Sequence, residues 1–280
     1  MNAFAIGLCW GTLERATLPE LIEAAGRHGF PTLSVRPAAV AAAVEAGVDG
    51  RALRRRLSDA GVRVAVVDAI SKGLPGMPPA EAVKPALRGL IPPDEETCFR
   101  AAETLEAPVV NVTHFLGRPT PLQTMADAIG GICRRAAMRG LEVTLEFIPD
   151  TGLPDLSTAL AVTKACGAPN CKLLLDVWHL ARSNGSADDV RRLPLGVLGG
   201  LQLSDRTPPP RGQPYVPMSG RELPGEGQLP LVEIVQAARL NRPGLTAEIE
   251  VFNDELRGLS IDAAAARTAA AVKAWRGGLA

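Results

Sequence analysis

The chain has 280 residues, 46% of them hydrophobic, and its 30 basic side chains balance 30 acidic ones. That balance leaves no basic footprint for nucleic acid or an anionic membrane, and the length supplies a core that needs neither disulfides nor a structural metal. Cys9, Cys98, Cys133, Cys166 and Cys171 form no CxxC pair and no Cys/His ligand spacing, as expected of thiols in a reducing compartment. No apolar run approaches the roughly 20 residues of a membrane span. The strand-like pattern Phe4, Ile6, Leu8 begins with no basic leader ahead of it, so the expected location is the cytoplasm.

Apolar strand-like runs alternate with longer helix-like stretches from end to end. Strand 3–9 precedes helix 17–29, strand 32–36 precedes 38–60, strand 62–69 precedes 94–106, and strand 108–114 precedes 121–139. The second half repeats the pattern with 141–148 and 156–166, 171–177 and 187–192, 199–204 and 230–240, and 245–251 and 260–276. Alternation of this kind implies a parallel sheet, because each crossover needs a helix to return the chain. Eight such units close a ring, so the expectation is a single (β/α)8 TIM-barrel domain over residues 1–280. An open doubly wound sheet would give no reason for polar residues at so many strand ends. Thr17, Asp94 and Ser157 are expected helix caps. Two proline-rich stretches, 71–93 after the third strand and 206–227 after the seventh, exceed ordinary connections and read as lids or substrate walls.

Four strand ends carry an oxygen-bearing side chain: Glu146 in LEFIP, Asp176 in LLLDVWH, Gln202 in LQLSD and Glu250 in AEIEVFND. Inward and outward positions alternate along a barrel strand, which puts Thr144 and Glu146, Gln202 and Ser204, and Glu248 and Glu250 on the axis side. Three carboxylates and an amide meeting at one rim would repel each other without a cation between them. The expected ligand set is Glu146, Asp176, Gln202 and Glu250, all oxygen, which suits Mn²⁺ or Mg²⁺ better than Co²⁺ or Zn²⁺. The competing reading makes these acids helix caps or ion-pair partners. His179, three residues after Asp176, can contact a substrate hydroxyl or shuttle a proton. His114 is a weaker pocket candidate, and His28 reads as a surface residue at a helix C-terminus. Trp10, Trp178, Phe147 and Phe252 are either pocket walls or core, with Phe147 on the helix side by parity.

These residues resemble the xylose isomerase-like TIM-barrel superfamily, in its sugar isomerase/epimerase branch, through LEF, LDVWH, QLSD, RELPGEG and EVF. The resemblance implies that Glu146 and Glu250 bind the metal and act as acid and base on two faces of the substrate. It implies that Asp176 and Gln202 complete the site, and that His179 and Arg221 contact substrate. Keto-sugar epimerases of the family usually have histidine where this chain has Gln202, and a second glutamate where it has Gly152. The glutamine variant looks like the metal-dependent dehydroshikimate dehydratases of the same superfamily. The Gly76-Met77 pair after the third strand is similar too, with Lys72 where those enzymes carry a carboxylate-binding arginine.

The expected activity is isomerisation or epimerisation of a small polyhydroxylated, sugar-like or cyclitol substrate, by proton abstraction next to a metal-polarised carbonyl. A metal-dependent lyase working by β-elimination is the alternative, and a non-catalytic binding barrel or partner-dependent subunit is the third reading. Catalytic roles fall to Glu146, Glu250 and His179, and substrate contacts to Arg221, His114, Lys72 and Trp10. The expected partner is a small molecule rather than nucleic acid or membrane, and barrels of this kind often pair as homo-oligomers.

Overall fold

The computed structural model describes residues 4–83, 94–208, 216, 218–276 and 278. The proline-rich stretches therefore lie partly outside the described residues, at 84–93, 209–215 and 217. Eight parallel strands close into one barrel in sequence order: β1 (Ile6–Cys9), β2 (Thr32–Val35), β3 (Arg63–Ile70), β4 (Val109–Thr113), β5 (Glu142–Glu146), β6 (Cys171–Asp176), β7 (Leu198–Leu203) and β8 (Ala247–Ile249). β8 closes on β1 through Ile6–Ala247, Gly7–Glu248 and Leu8–Ile249. The expected TIM barrel is the observed one.

The outer layer comprises α1 (Leu18–Arg27), α2 (Pro37–Glu45), α3 (Gly50–Asp59), α4 (Glu95–Leu105), α5 (Leu122–Ala137), α6 (Leu156–Ala165), α7 (Val177–Arg182), α8 (Ala187–Arg191), α9 (Leu231–Asn241), α10 (Asp254–Gly258) and α11 (Ile261–Arg276). The longer helices turn apolar residues inward; α1 buries Leu18, Leu21, Ile22 and Ala25, the spacing of one helical face. No helix among the described residues is long and apolar enough to cross a membrane.

Helix boundaries correct the sequence reading in several places. The stretch 38–60 is two helices, because Gly47 adopts φ +87° and Asp49 caps a new helix through Ala52 N at 2.7 Å. Thr17 and Asp94 cap α1 and α4 as expected, Thr17 in a reciprocal box with Glu20. Ser157 does not cap α6. Asp155 does, accepting from Thr158 N at 2.8 Å, and Ser157 Oγ donates to that same carboxylate. The short helices α7 and α10 have no counterpart in the sequence reading. Each follows a capping side chain, Asp176 and Asn253.

Inside the barrel the strands pack a polar layer, not an apolar plug. Gly7 has no side chain because Thr32 fills the space; a Cβ there would stand 2.0 Å from Thr32 Oγ1. Thr32 in turn donates to Glu248 at 3.4 Å, Ser34 to Cys9 Sγ at 3.2 Å and Thr144 to Asn111 Oδ1 at 2.9 Å. All of these interior groups are buried, so each hydrogen bond offsets a desolvation cost.

The cap assignment is open to test by thermal denaturation followed by circular dichroism. Asp155→Ala should cost about 1 kcal/mol, a drop of roughly 2–4 °C for a domain of this size. Ser157→Ala should stay within a few tenths of a kcal/mol of the parent. The reverse order would return the cap to Ser157.

Candidate metal centre

β5 ends on Glu146 and β6 on Asp176; Gln202 stands one residue before the end of β7, and Glu250 one residue past β8. Register aligns Asp176 with Gln202, and Glu250 N extends the ladder by donating to Leu203 O at 3.0 Å. The ring thereby turns all four toward one rim, and none is more than 6% exposed.

Their partners connect them. Arg221 Nη1 donates to Asp176 Oδ2 at 2.9 Å and to Glu250 Oε2 at 2.8 Å, so one nitrogen touches two of the expected ligands. Gln202 Nε2 donates to Glu250 Oε1 at 3.1 Å, and Cys9 Sγ to the same oxygen at 3.3 Å. His179 Nε2 lies 3.5 Å from both Glu146 Oε1 and Asp176 Oδ2, contact distances that are too long for hydrogen bonds. Asp176 divides its labour: Oδ1 caps α7 through Trp178 N at 2.7 Å, while Oδ2 faces the Arg221 guanidinium. Cap, ion-pair partner and candidate ligand are one residue here, not competing assignments.

Two residues that the sequence reading passed over complete the pocket. Asp68, inside β3, accepts from Trp10 Nε1 at 3.2 Å and from Asn111 Nδ2 at 2.8 Å. Asn111 Nδ2 also donates to Glu146 Oε2 at 2.9 Å, and Thr144 fixes its orientation by donating to Oδ1. The signal for Asp68 was available: it is the one acid in the apolar run 62–69, near a strand end, as Asp176 is in its own.

Charge sets the proton affinities. Burial pushes Glu146 well above the usual carboxylate range, and Asp68, Glu250 and Asp176 add repulsion. Burial likewise lifts Glu250 to about 8 against the pull of Arg221, lifts Glu248 to about 7, and raises Asp68. Asp176 feels the same burial, but Arg221, His179 and two backbone N–H groups outweigh it and hold it low. Burial depresses His179 to about 4, so the imidazole is neutral at pH 7 and able to ligate or accept a proton.

The buried acids, with Cys9 and His179, form two triads with the spacing of a divalent-ion site, and Glu250 falls in a different triad from Glu146 and Asp176. One ligand atom each from Glu146, Asp176 and His179 lies within 4.8 Å of the others, as does one each from Cys9, Asp68 and Glu250. That spacing matches atoms arranged about an ion at roughly 2.0–2.4 Å. Gln202 Oε1 is a buried acceptor with no hydrogen-bond partner, the state expected of an oxygen reserved for a cation. The structure therefore adds His179 to the groups able to ligate.

The remaining candidates separate. Trp10 is half-buried at the end of β1, edge-on to Phe252 with ring centroids 5.9 Å apart, and walls the pocket. Trp178 and Phe252 flank the Arg221 guanidinium at 5.6 and 5.0 Å from their centroids. Phe147 is core. His114 is buried between loops: Nε2 pairs with Pro75 O at 2.8 Å, and a Cβ on Gly117 or Gly152 would overlap its ring. It clasps the segments after β3, β4 and β5. The expected substrate contact from Lys72 is not supported, since its side chain is 65% exposed with its ammonium 4.0 Å from the α4 cap Asp94. His28 closes α1 and pairs with Asp262 at 2.9 Å.

Arg221 reaches the pocket because the returning loop is pinned. Asp205 and Glu222 form an antiparallel bridge, and the Asp205 carboxylate accepts from the N–H groups of Arg206, Gly225 and Leu229 at 2.8, 3.0 and 2.9 Å. Removing the guanidinium leaves two buried carboxylates without it, at an expected cost of about 3–5 kcal/mol. Arg221→Ala should therefore lower Tm sharply, and added Mn²⁺ should raise Tm more in the variant than in the parent. Equal metal-induced shifts would show that ion and arginine do not share these carboxylates. Glu248 gives a pH test. Its folded-state value lies above its ordinary 4.5, so folding favours the protonated form. That stabilisation is complete below about pH 4.5 and is lost as pH rises through about 7. Glu248→Gln should thus gain stability relative to the parent as pH climbs through 7; a constant difference in Tm would refute the shift.

The family model described as xylose isomerase-like TIM barrel matches residues 22–276. A search of curated protein sequences found no match. Among solved structures, an IolI protein with a binding zinc atom has a TM-score of 0.79 at 15% identity, covering 98% of each chain. A D-psicose 3-epimerase in the presence of D-fructose has a TM-score of 0.72 at 18% identity, covering 98% of this chain and 99% of that one. The probable 3-DHS dehydratase AsbF involved in petrobactin synthesis from Bacillus anthracis has a TM-score of 0.72 at 15% identity, covering 96% of this chain and 98% of that one. At these identities the likenesses speak for the fold. With a closed eight-stranded barrel and a family match over nine-tenths of its length, this chain belongs to the xylose isomerase-like TIM-barrel family.

Proposed function

We propose that this protein is a divalent-metal-dependent isomerase or epimerase of a small polyhydroxylated substrate. One observation carries the reading. Glu146 and Glu250, delivered by β5 and β8, both reach the buried surroundings of Asp176: Glu250 shares the Arg221 guanidinium with it at 2.8 Å, and Glu146 shares the His179 ring with it at 3.5 Å. A buried carboxylate can take a proton and return it, and moving a proton between two carbons or two faces needs such a pair.

Glu146, Asp176, Gln202 and Glu250 would hold the ion, with His179 beside them. Bound there, it supplies Lewis acidity toward substrate carbonyl and hydroxyl oxygens. One glutamate removes the proton on the carbon next to the carbonyl, which requires an approach of about 3 Å. The other returns a proton to the opposite face or the neighbouring carbon. Asn111 holds Glu146 Oε2 and leaves Oε1 facing the centre. Arg221, flanked by Trp178 and Phe252, holds Asp176 and Glu250 in place, and the aromatic walls exclude water. The substrate class follows the small-molecule chemistry named for the epimerase and dehydratase neighbours.

A lyase reading is favoured by a different observation. The His114 ring occupies the space where a side chain at Gly152 would begin, 2.5 Å from the Cβ position, so the second glutamate of keto-sugar epimerases has no room. After the same deprotonation, loss of a β-hydroxyl with protonated Glu250 as acid would give dehydration. The neighbour AsbF, a probable dehydratase, belongs to that class.

Incubation of the Mn²⁺-loaded protein with a panel of ketoses, cyclitols and keto acids in deuterated water separates the readings. Deuterium entering a substrate carbon without loss of water supports isomerisation, whereas an absorbing enone product supports elimination. Metal binding with neither result points to a ligand-binding barrel or partner-dependent subunit. Glu146→Gln should lower exchange by at least about 100-fold and weaken metal binding. Full turnover with full metal content in that variant would remove Glu146 from the mechanism.

A further inference from the structure

The carboxylates at the barrel rim do not gather around one point, and Glu250 is where they divide. Its two oxygens face different neighbours. Oε2 accepts from Arg221, which also holds Asp176, whereas Oε1 accepts from Gln202 at 3.1 Å and from Cys9 at 3.3 Å. Cys9 Sγ, one oxygen of Asp68 and one of Glu250 lie within 4.8 Å of one another. Cys9 ends β1, Asp68 stands inside β3 and Glu250 follows β8, so this group shares no member with the one formed by Glu146, Asp176 and His179.

The surroundings suit this second group to a cation. Gly11 leaves the room: a Cβ there would stand 2.7 Å from the Phe252 ring and 3.1 Å from Glu250 Cγ, so its missing side chain lets Glu250 lie against the turn after β1. Ser34 Oγ and Gly11 N donate to Cys9 Sγ at 3.2 and 3.4 Å, and donors aimed at a sulfur favour its thiolate. Asp68 gives Oδ2 to Trp10 and Oδ1 to Asn111, and each oxygen keeps a further lone pair. Gln202 is 2% exposed; its Nε2 touches Glu250 Oε1, and its Oε1 is a buried acceptor with no hydrogen-bond partner. Charge points the same way. Asp68, Glu146, Asp176 and Glu250 carry four negative charges when ionised, against one positive charge on Arg221. One divalent ion leaves a single negative charge, and a Cys9 thiolate makes it two, which a second divalent ion cancels.

We propose that Cys9, Asp68 and Glu250 form a second divalent-cation site, selective for a borderline ion that accepts thiolate, Zn²⁺ or Co²⁺, with Glu250 bridging it to the first ion. Binding replaces the Cys9 S–H bond with a sulfur–metal bond, and the proton leaves to solvent. In the absence of a cation, burial and Glu250 keep that thiol protonated, which is the form that donates to Glu250 Oε1. The first ion rests on the function proposed above; the second rests on its own three donors.

Equilibration of the full chain with Co²⁺, followed by metal analysis and absorption spectroscopy, provides the test. The wild-type protein should hold two equivalents and show a near-ultraviolet thiolate-to-cobalt charge-transfer band. Cys9→Ser should lose the band and one equivalent, and Asp68→Asn should also fall to one equivalent. A single equivalent without the band in the wild-type protein would overturn the proposal. So would a single equivalent with it, which puts the thiol on a shared ion. A band that survives in Cys9→Ser belongs to another cysteine and would overturn it too. The two readings fail separately. Wild-type protein that exchanges deuterium while holding one ion and no band keeps the proposed function and loses the second site. Two ions with the band, but no exchange on any substrate, does the reverse.

Discussion

A single guanidinium nitrogen carries the electrostatic burden of this pocket. Arg221 is the one Arg or Lys among the described residues that is fully buried, and it stands between Asp176 and Glu250 while Asp68, Glu146 and Glu248 crowd the same interior. One positive charge cannot neutralise five carboxylates, and ionising neighbouring buried acids together is costly. The pocket meets that constraint by dividing its acids. Asp176, next to Arg221, His179 and the start of α7, stays ionised, whereas the others hold protons more tightly than in water. A divalent ion would resolve the same imbalance from the other side, which is why proton affinity and metal affinity are linked here.

Delivery of that arginine depends on backbone chemistry well away from the charges. The loop after β7 is long, yet its return is fixed where Asp205 bridges Glu222 and collects three backbone N–H groups. Arg221 is then held at both ends of its backbone, its N–H on Phe252 O and its carbonyl on Asn253. Asp205 never touches the centre, but it decides where the cation goes. Asp176 works the same way at closer range, since capping α7 with one oxygen aims the other at Arg221.

Much of this was legible before any coordinates. Strict alternation of strand and helix specified the barrel, and period-two parity chose Glu146, Gln202 and Glu250 as inward residues, because closure leaves a strand only two faces. What escaped was context. Asp68 carries the same signature as Asp176 but stops two residues short of the end of a longer strand, and Asn111 gives no charge signal at all. Its importance lies in bridging two acids brought together only by the fold. The break at Gly47 was hidden by an alanine-rich stretch that reads as continuous helix. Ser157 lost its cap to Asp155 because a carboxylate two residues earlier meets the same N–H with charge behind it. Lys72 shows the limit of residue-by-residue transfer: it follows the right strand, but its ammonium turns to the α4 cap.

Gly152 and His114 bear on substrate choice through space rather than charge. Gly117 and Gly152 both lie against the His114 ring, which fills the volume their side chains would need, and Gly152 N is bound to Gly117 O at 3.1 Å. The loops after β4 and β5 are therefore locked together where a keto-sugar epimerase would extend a glutamate toward its substrate. Meanwhile Asp68 places a carboxylate on β3, hydrogen-bonded to Trp10 and Asn111. That acid is held in a strand rather than in a loop. Both devices fix the shape of the pocket through packing and hydrogen bonds laid down by the fold, before anything binds.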